Sequence, residues 1–273
     1  MLEVLKTILF GIVEGITEWL PISSTGHMIL LDEFIRLRVS PDFLEMFLVV
    51  IQLGAILAVV VLYWNRLIPF KVHHGIRLDR KKCSMWLKII VASIPAGVVG
   101  VLFDDVFNDL FYNYRTVAVM LILVGAIFIV VERKNRRRRM SMDSIDNISY
   151  GKAFMIGVFQ LIAAVFPGTS RSGATIIGGL MLGISRTTAA EFTFFLAIPA
   201  MLGGSALKLA KFGGSFTGNE LMILILGMVV AFVVSILAIK FLVSYIQRHD
   251  FRVFGWYRIV LGIIVLFYFL IAH

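Results

Sequence analysis

Hydrophobic residues in this chain fall into long, nearly unbroken runs. They do not alternate as in half-buried strands, nor form the one-sided stripe of a surface helix. Runs at roughly 45–64, 86–103, 114–131, 188–209, 220–246 and 253–271 each have about the length that crosses a ~30 Å bilayer core as a helix. Two weaker apolar segments, about 2–35 and 150–182, are interrupted by polar motifs, TEWLPISSTGHMIL (17–30) and PGTSRSGAT (167–175). Pro21 and Pro167 each deny a helix one hydrogen bond. The hydroxyls that follow, Ser23, Ser24 and Thr25 or Thr169, Ser170 and Ser172, suit the cap of a restarted helix. The pattern predicts an all-α integral membrane protein with about six full transmembrane helices and two re-entrant segments, each a broken helix.

Composition agrees, with 59% hydrophobic and 16% charged residues in 273. A soluble domain of this length needs more polar surface. The single cysteine, Cys83, permits no intrachain disulfide. The N-terminal apolar stretch is not a signal peptide, because Glu14 and Glu18 break it and no small-x-small cleavage site follows.

A net charge of +9 raises nucleic acid as a partner, but its distribution points to a membrane instead. Basic residues crowd 65–84, 133–149 and the short 247–252 connection, whereas 104–113 has three acids and no Lys or Arg. This positive-inside bias puts the basic loops in the cytoplasm. Loops 104–113 and 210–219 then face out, as do both termini. By that parity the segments 2–35 and 150–182 enter from opposite faces, the mark of an inverted-topology repeat.

Residue matches support the repeat. An offset of 146 residues, the separation of Gly11 and Gly157, also pairs Lys6 with Lys152, Glu14 with Gln160 and Pro21 with Pro167. It pairs Ser23 with Thr169, Ser24 with Ser170 and Glu45 with Glu191. The chain divides into a first repeat, 1–132, a basic cytoplasmic linker, 133–149, and a second repeat, 150–273, within one membrane domain.

The two breaks carry complementary chemistry. Irregular backbone at membrane depth is tolerated only where protein or water covers it. The restarted helices would aim their N–H groups at a shared centre, where an anion is stabilised. Arg171 adds a permanent cation whose fork matches phosphate oxygens. Glu14 and Glu18 share a helical face and suit a divalent cation, Mg²⁺ or Ca²⁺. Ser24 can attack phosphorus, and His27 can serve as base, acid or nucleophile. Carboxylates, cation, arginine, hydroxyl and imidazole together describe phosphoryl transfer. Gln52, inside an apolar span, supports the site, whereas Arg186, Glu191 and the Tyr257-Arg258 pair are structural or interfacial.

VEGITEWLPISSTGHM and PGTSRSGAT resemble the two motifs of the bacterial undecaprenyl-diphosphate phosphatases, the bacitracin-resistance family. VVIQLGAILAVV, GISR and EFTFFLAIP resemble other segments of that family, so the likeness covers essentially the whole chain. It implies hydrolysis of a polyprenyl diphosphate lipid in the bacterial cytoplasmic membrane, with a site open to the outer side. It also implies that Glu14 and Glu18 form an acidic pair, that Ser24 and His27 act from the first loop, and that Ser170, Arg171 and Thr175 bind phosphate. Ser23, Thr25, Ser172 and Gln52 complete the expected substrate-binding set. One departure stands at Leu48, where family members often carry an acid; Glu45 lies one helical turn away. Membrane lipids are the other expected partners, and a homodimer is compatible with the chain. The competing reading is a secondary transporter or flippase of an anionic lipid or solute.

The charge bias has a direct test. Cysteines introduced singly into 104–113 and 133–149 are expected to differ in intact cells, the first reacting with an impermeant reagent and the second not. Equal labelling would overturn the assignment of faces.

Overall fold

The computed structural model describes residues 1–72, 76–111, 113–136 and 142–272. Arg137, Arg138 and Arg139, in the basic linker, lie outside the described residues. Twelve α-helices account for most of the described chain. The first six are α1 (Leu2–Thr17), α2 (Ser24–Phe34), α3 (Pro41–Val50), α4 (Gln52–Leu62), α5 (Trp64–Leu67) and α6 (Arg80–Phe111). The rest are α7 (Tyr114–Asn135), α8 (Tyr150–Val165), α9 (Arg171–Met181), α10 (Arg186–Phe212), α11 (Gly218–Ile246) and α12 (Arg252–Ala272). Six segments are long and apolar enough to cross a membrane: Pro41–Leu62, Arg80–Phe103, Tyr114–Asn135, Arg186–Phe212, Gly218–Ile246 and Arg252–Ile271. The chain is an all-α integral membrane protein; five of the expected spans fall within these segments, and the first, 45–64, overlaps Pro41–Leu62.

Two stretches expected as loops are more ordered. The basic stretch after α4 holds α5 and a short antiparallel hairpin of β1 (Phe70–Val72) and β2 (Ile76–Leu78). Helix α6 runs on through 104–111, because DDVFNDLF contains no glycine or proline to stop it. Most other helices start on a hydroxyl or amide cap, such as Ser40 before Pro41, Asn113, Ser149 and Ser185. At Thr217 a full capping box with Glu220 starts α11.

The two broken segments are α1–α2 and α8–α9, and each leans on a long helix from the other half of the chain. Helix α1 packs along α11, α8 along α6, and α7 along α12. Gly11 and Gly157, matched in the sequence, both sit at these crossings: a Cβ on Gly11 would lie 2.9 Å from Gly227 O. A Cβ on Gly157 would overlap the carbonyl of Ala92, so α6 and α8 touch backbone to backbone. Trp19, in the first break, is fully buried and packs edge-on against Phe194 of α10 at 5.4 Å.

Gly157→Ala must push α6 and α8 apart and is expected to lower stability by about 1–3 kcal/mol. Gly203→Ala, whose added methyl meets nothing within 4 Å, is expected to be neutral or to gain up to about 1 kcal/mol from helix propensity. Melting curves of the two purified variants check the contrast, and equal melting temperatures would contradict it.

Candidate active site

Both breaks are built alike. Ser23 caps α2 and Ser170 caps α9, with φ of 76° and 68°; they are the only non-glycine residues at positive φ among the described residues. Each hydroxyl accepts from the N–H three residues on, Gly26 N at 3.3 Å and Gly173 N at 3.1 Å. A left-handed serine costs energy that its surroundings must offset, and such strain gathers at functional sites. The caps also shift the alignment: Ser23 holds the post of Ser170, one residue beyond the 146-residue pairing. Ser24 therefore opens α2 where Arg171 opens α9.

Arg258 ties the two breaks together. It is fully buried in α12, donating from Nη1 to Pro21 O at 3.1 Å. Its Nη2 donates to Gly168 O at 2.8 Å and Thr169 O at 2.9 Å. One guanidinium thus satisfies backbone carbonyls that the two interrupted helices leave without partners.

Glu18 is the polar hub. Its Oε2 accepts from Ser24 Oγ at 2.6 Å and its Oε1 from Arg171 Nη2 at 3.1 Å. Its backbone carbonyl accepts from Ser172 Oγ at 3.1 Å. Arg171 is steadied from behind, donating from Nη1 to Thr193 O at 3.1 Å, while Thr175 Oγ1 donates to Arg171 O at 2.9 Å. Glu18, Ser24, Thr25, Gln52, Ser170 and Arg171 line one cavity of about 160 Å³. Arg171, Ala163, Ala200 and Gly204 are shared with a second cavity of about 380 Å³ between α6, α8 and α10. That second cavity is mostly small and apolar, with Gly97, Gly100 and Gly203 opening it.

Other expected site residues sit elsewhere. The His27 ring hydrogen-bonds through Nδ1 to Ser23 O at 2.8 Å and through Nε2 to Tyr257 Oη at 2.7 Å. It lines an apolar cleft with Thr17, Leu20 and Phe254, not the Glu18 cavity. Ser23, Ser172 and Thr175 shape the loops rather than line the cavity. Glu14 is fully buried beneath them, and neither of its carboxylate oxygens has a hydrogen-bond partner. Glu45 bonds Lys208 at 2.6 Å and does not replace an acid at Leu48.

The model of the family described as bacitracin resistance protein BacA matches residues 7–264. The chain belongs to this family. It is 67% identical to an undecaprenyl-diphosphatase of Desulfitobacterium hafniense over 98% of this chain and 97% of that protein. It is 63% identical to undecaprenyl-diphosphatase 1 of Clostridium acetobutylicum over 99% of both. An undecaprenyl-diphosphatase of Enterococcus faecalis is 58% identical over 97% of this chain and 96% of that protein.

Within this BacA-family chain, Glu14 and Glu18 are the carboxylates a divalent cation would use. No group of three or more His, Cys, Asp or Glu is gathered among the described residues. Yet Glu14 lies fully buried against Glu18 with no donor group reaching its oxygens, and a buried carboxylate needs a cation or a proton, which the two carboxyls can share. Two carboxylates fit a cation such as Mg²⁺, which takes its other ligands from water and phosphate.

Arg258, Tyr257 and Thr193 are contacts that the motifs did not assign to the site. For Arg258 the signal was a cation inside an otherwise apolar span; Thr193 carried none. Arg258→Met strands three carbonyls and is expected to cost at least about 3 kcal/mol, read as a lower melting temperature with loss of both loops. Arg258→Lys, which keeps the charge but not the fork, is expected to recover only part. A Met variant as stable as wild type would remove Arg258 as the clamp.

Proposed function

We propose that this chain hydrolyses undecaprenyl diphosphate to undecaprenyl phosphate and inorganic phosphate, recycling the carrier for cell-wall synthesis and conferring bacitracin resistance. The observation that carries this reading is one carboxylate, Glu18, holding Ser24 from the first break and Arg171 from the second. Ser24 Oγ attacks the terminal phosphorus while Glu18 takes the hydroxyl proton. The bond from that phosphorus to the bridging oxygen breaks, and undecaprenyl phosphate leaves. Water then attacks the phosphoserine, its bond from phosphorus to Ser24 Oγ breaks, the proton held by Glu18 returns to that oxygen, and inorganic phosphate leaves with the protons of the water.

Arg171 Nε, buried and without a partner, supplies with Nη a fork for phosphate oxygens. Thr25, Gln52 and Ser170 add donors around the same cavity. Glu14 and Glu18 would hold a divalent cation, whose charge would offset that of the diphosphate. The small, apolar cavity that continues from Arg171 suits the first units of the lipid chain. His27 fixes the turn of the first loop through Tyr257, and Ser24 leads the chemistry.

The shared build of the two breaks, and the way α1 and α8 lean on opposite halves, support an inverted repeat spanning 1–132 and 150–273. With the basic residues in the cytoplasm, both termini and the site's opening lie on the outer side. The same interleaving favours a second reading, carriage of an anionic lipid without hydrolysis.

Purified protein in detergent with Mg²⁺ is expected to release phosphate from a polyprenyl diphosphate and to stop when the metal is chelated. Arg171→Lys is expected to lose about 10- to 150-fold of that turnover, the worth of a charge-assisted hydrogen bond, while melting near wild type. No release by wild type would leave carriage as the function. Full turnover in chelator would remove the metal, and near-normal kinetics in the Lys variant would remove the phosphate fork.

A further inference from the structure

We propose that a second anion site lies at the other end of the bundle, where the ends of α7, α10, α11 and α12 meet, and that it binds the phosphate headgroup of an anionic phospholipid. A pocket of about 610 Å³ there is lined by Arg133, Arg136, Arg186, Arg248 and Arg252, with Asp250 the one carboxylate on its wall. None of these residues belongs to the Glu18 cavity.

Two of the five arginines are neutralised. Arg186 is held by the buried Glu132, Nε to Oε1 at 2.9 Å, and Glu132 also accepts from Phe251 N at 3.1 Å. Arg252 bonds Asp250 at 2.8 Å. These pairs fix the pocket's walls. Arg133, Arg136 and Arg248 have no carboxylate partner among the described residues, so three cations on its wall remain. Cations that share one wall without a counter-charge attract an anion.

The pocket's remaining lining decides which phosphate. Ile129, Val253 and Trp256 form its apolar side. Trp256 is 55% exposed, and the same face of α12 continues through the exposed Val260 and Ile264. A headgroup among the arginines would leave its acyl chains along this face, with Trp256 at the level where indoles favour the interface. Inorganic phosphate uses the cations but not the apolar face. On the charge reading this is the inner leaflet, whose anionic lipids basic pockets between helices recognise.

The test titrates detergent-solubilised protein with phosphatidylglycerol, phosphatidylcholine or inorganic phosphate, followed by native mass spectrometry. Wild type is expected to bind phosphatidylglycerol at least tenfold tighter than phosphatidylcholine. Each arginine lost near the headgroup should weaken binding about fivefold. Arg248→Gln alone is therefore expected to lose about fivefold, and Arg133→Gln, Arg136→Gln and Arg248→Gln together about a hundredfold. All three side chains are exposed and remote from the Glu18 cavity, so phosphate release from polyprenyl diphosphate should be unchanged in these variants. Unaltered phosphatidylglycerol binding in both variants would overturn the site. Displacement of the lipid by millimolar inorganic phosphate would overturn the lipid assignment.

Discussion

Interrupting two helices among apolar neighbours leaves backbone carbonyls and N–H groups without partners, where each orphan costs about 1–3 kcal/mol. Arg258 meets this constraint by donating to Pro21, Gly168 and Thr169 at once. Because those carbonyls come from both breaks, satisfying them also sets the distance between the loops. Ser23 and Ser170 complete the arrangement from within, each turning left-handed to cap the helix that follows. Close crossings such as Gly255 of α12 on Gly125, and Gly168 of the second break on Val117, bring α12 and the loop near enough to α7 for one guanidinium to reach across.

Once the loops are pinned, their side chains meet. Glu18 and Arg171 are nearly buried, with side-chain exposures of 7% and 16%, so their pairing works against a desolvation cost comparable to its gain. Stability alone is a weak reason to keep such a pair. In the proposed reaction its value lies in holding Ser24 and Arg171 on either side of a small cavity before substrate arrives, since preorganised charge is what phosphoryl transfer most needs. Beside that pair, the oxygens of Glu14 and Nε of Arg171 are buried without hydrogen-bond partners.

Features that depend on local pattern were legible in the sequence. The six spans followed from long apolar runs, and the breaks from Pro21 and Pro167 amid hydroxyls. The acidic, arginine and serine residues of the cavity followed from polar motifs where apolar residues were expected. Features set by distant partners were not legible. His27 turns toward Tyr257, 230 residues away, and no local signal distinguishes that from facing phosphate. Arg258 binds only backbone carbonyls, which carry no residue identity to read. The helical course of 104–111 was masked by its polarity, since an end of hydrophobicity resembles an end of helix. The one-residue shift between the caps arises because unequal stretches of irregular chain lead to the same geometry.

The central claim is that two loops, 153 residues apart in sequence at Glu18 and Arg171, act as one catalytic unit. A double-mutant cycle measures this directly, comparing kcat/KM on polyprenyl diphosphate for Glu18→Gln, Arg171→Met and the two combined, each checked by melting. Groups that act as a unit lose most of their effect with the first removal. The account predicts that the double variant is about as slow as the slower single variant. Losses that multiply, as for independent sites, would contradict it.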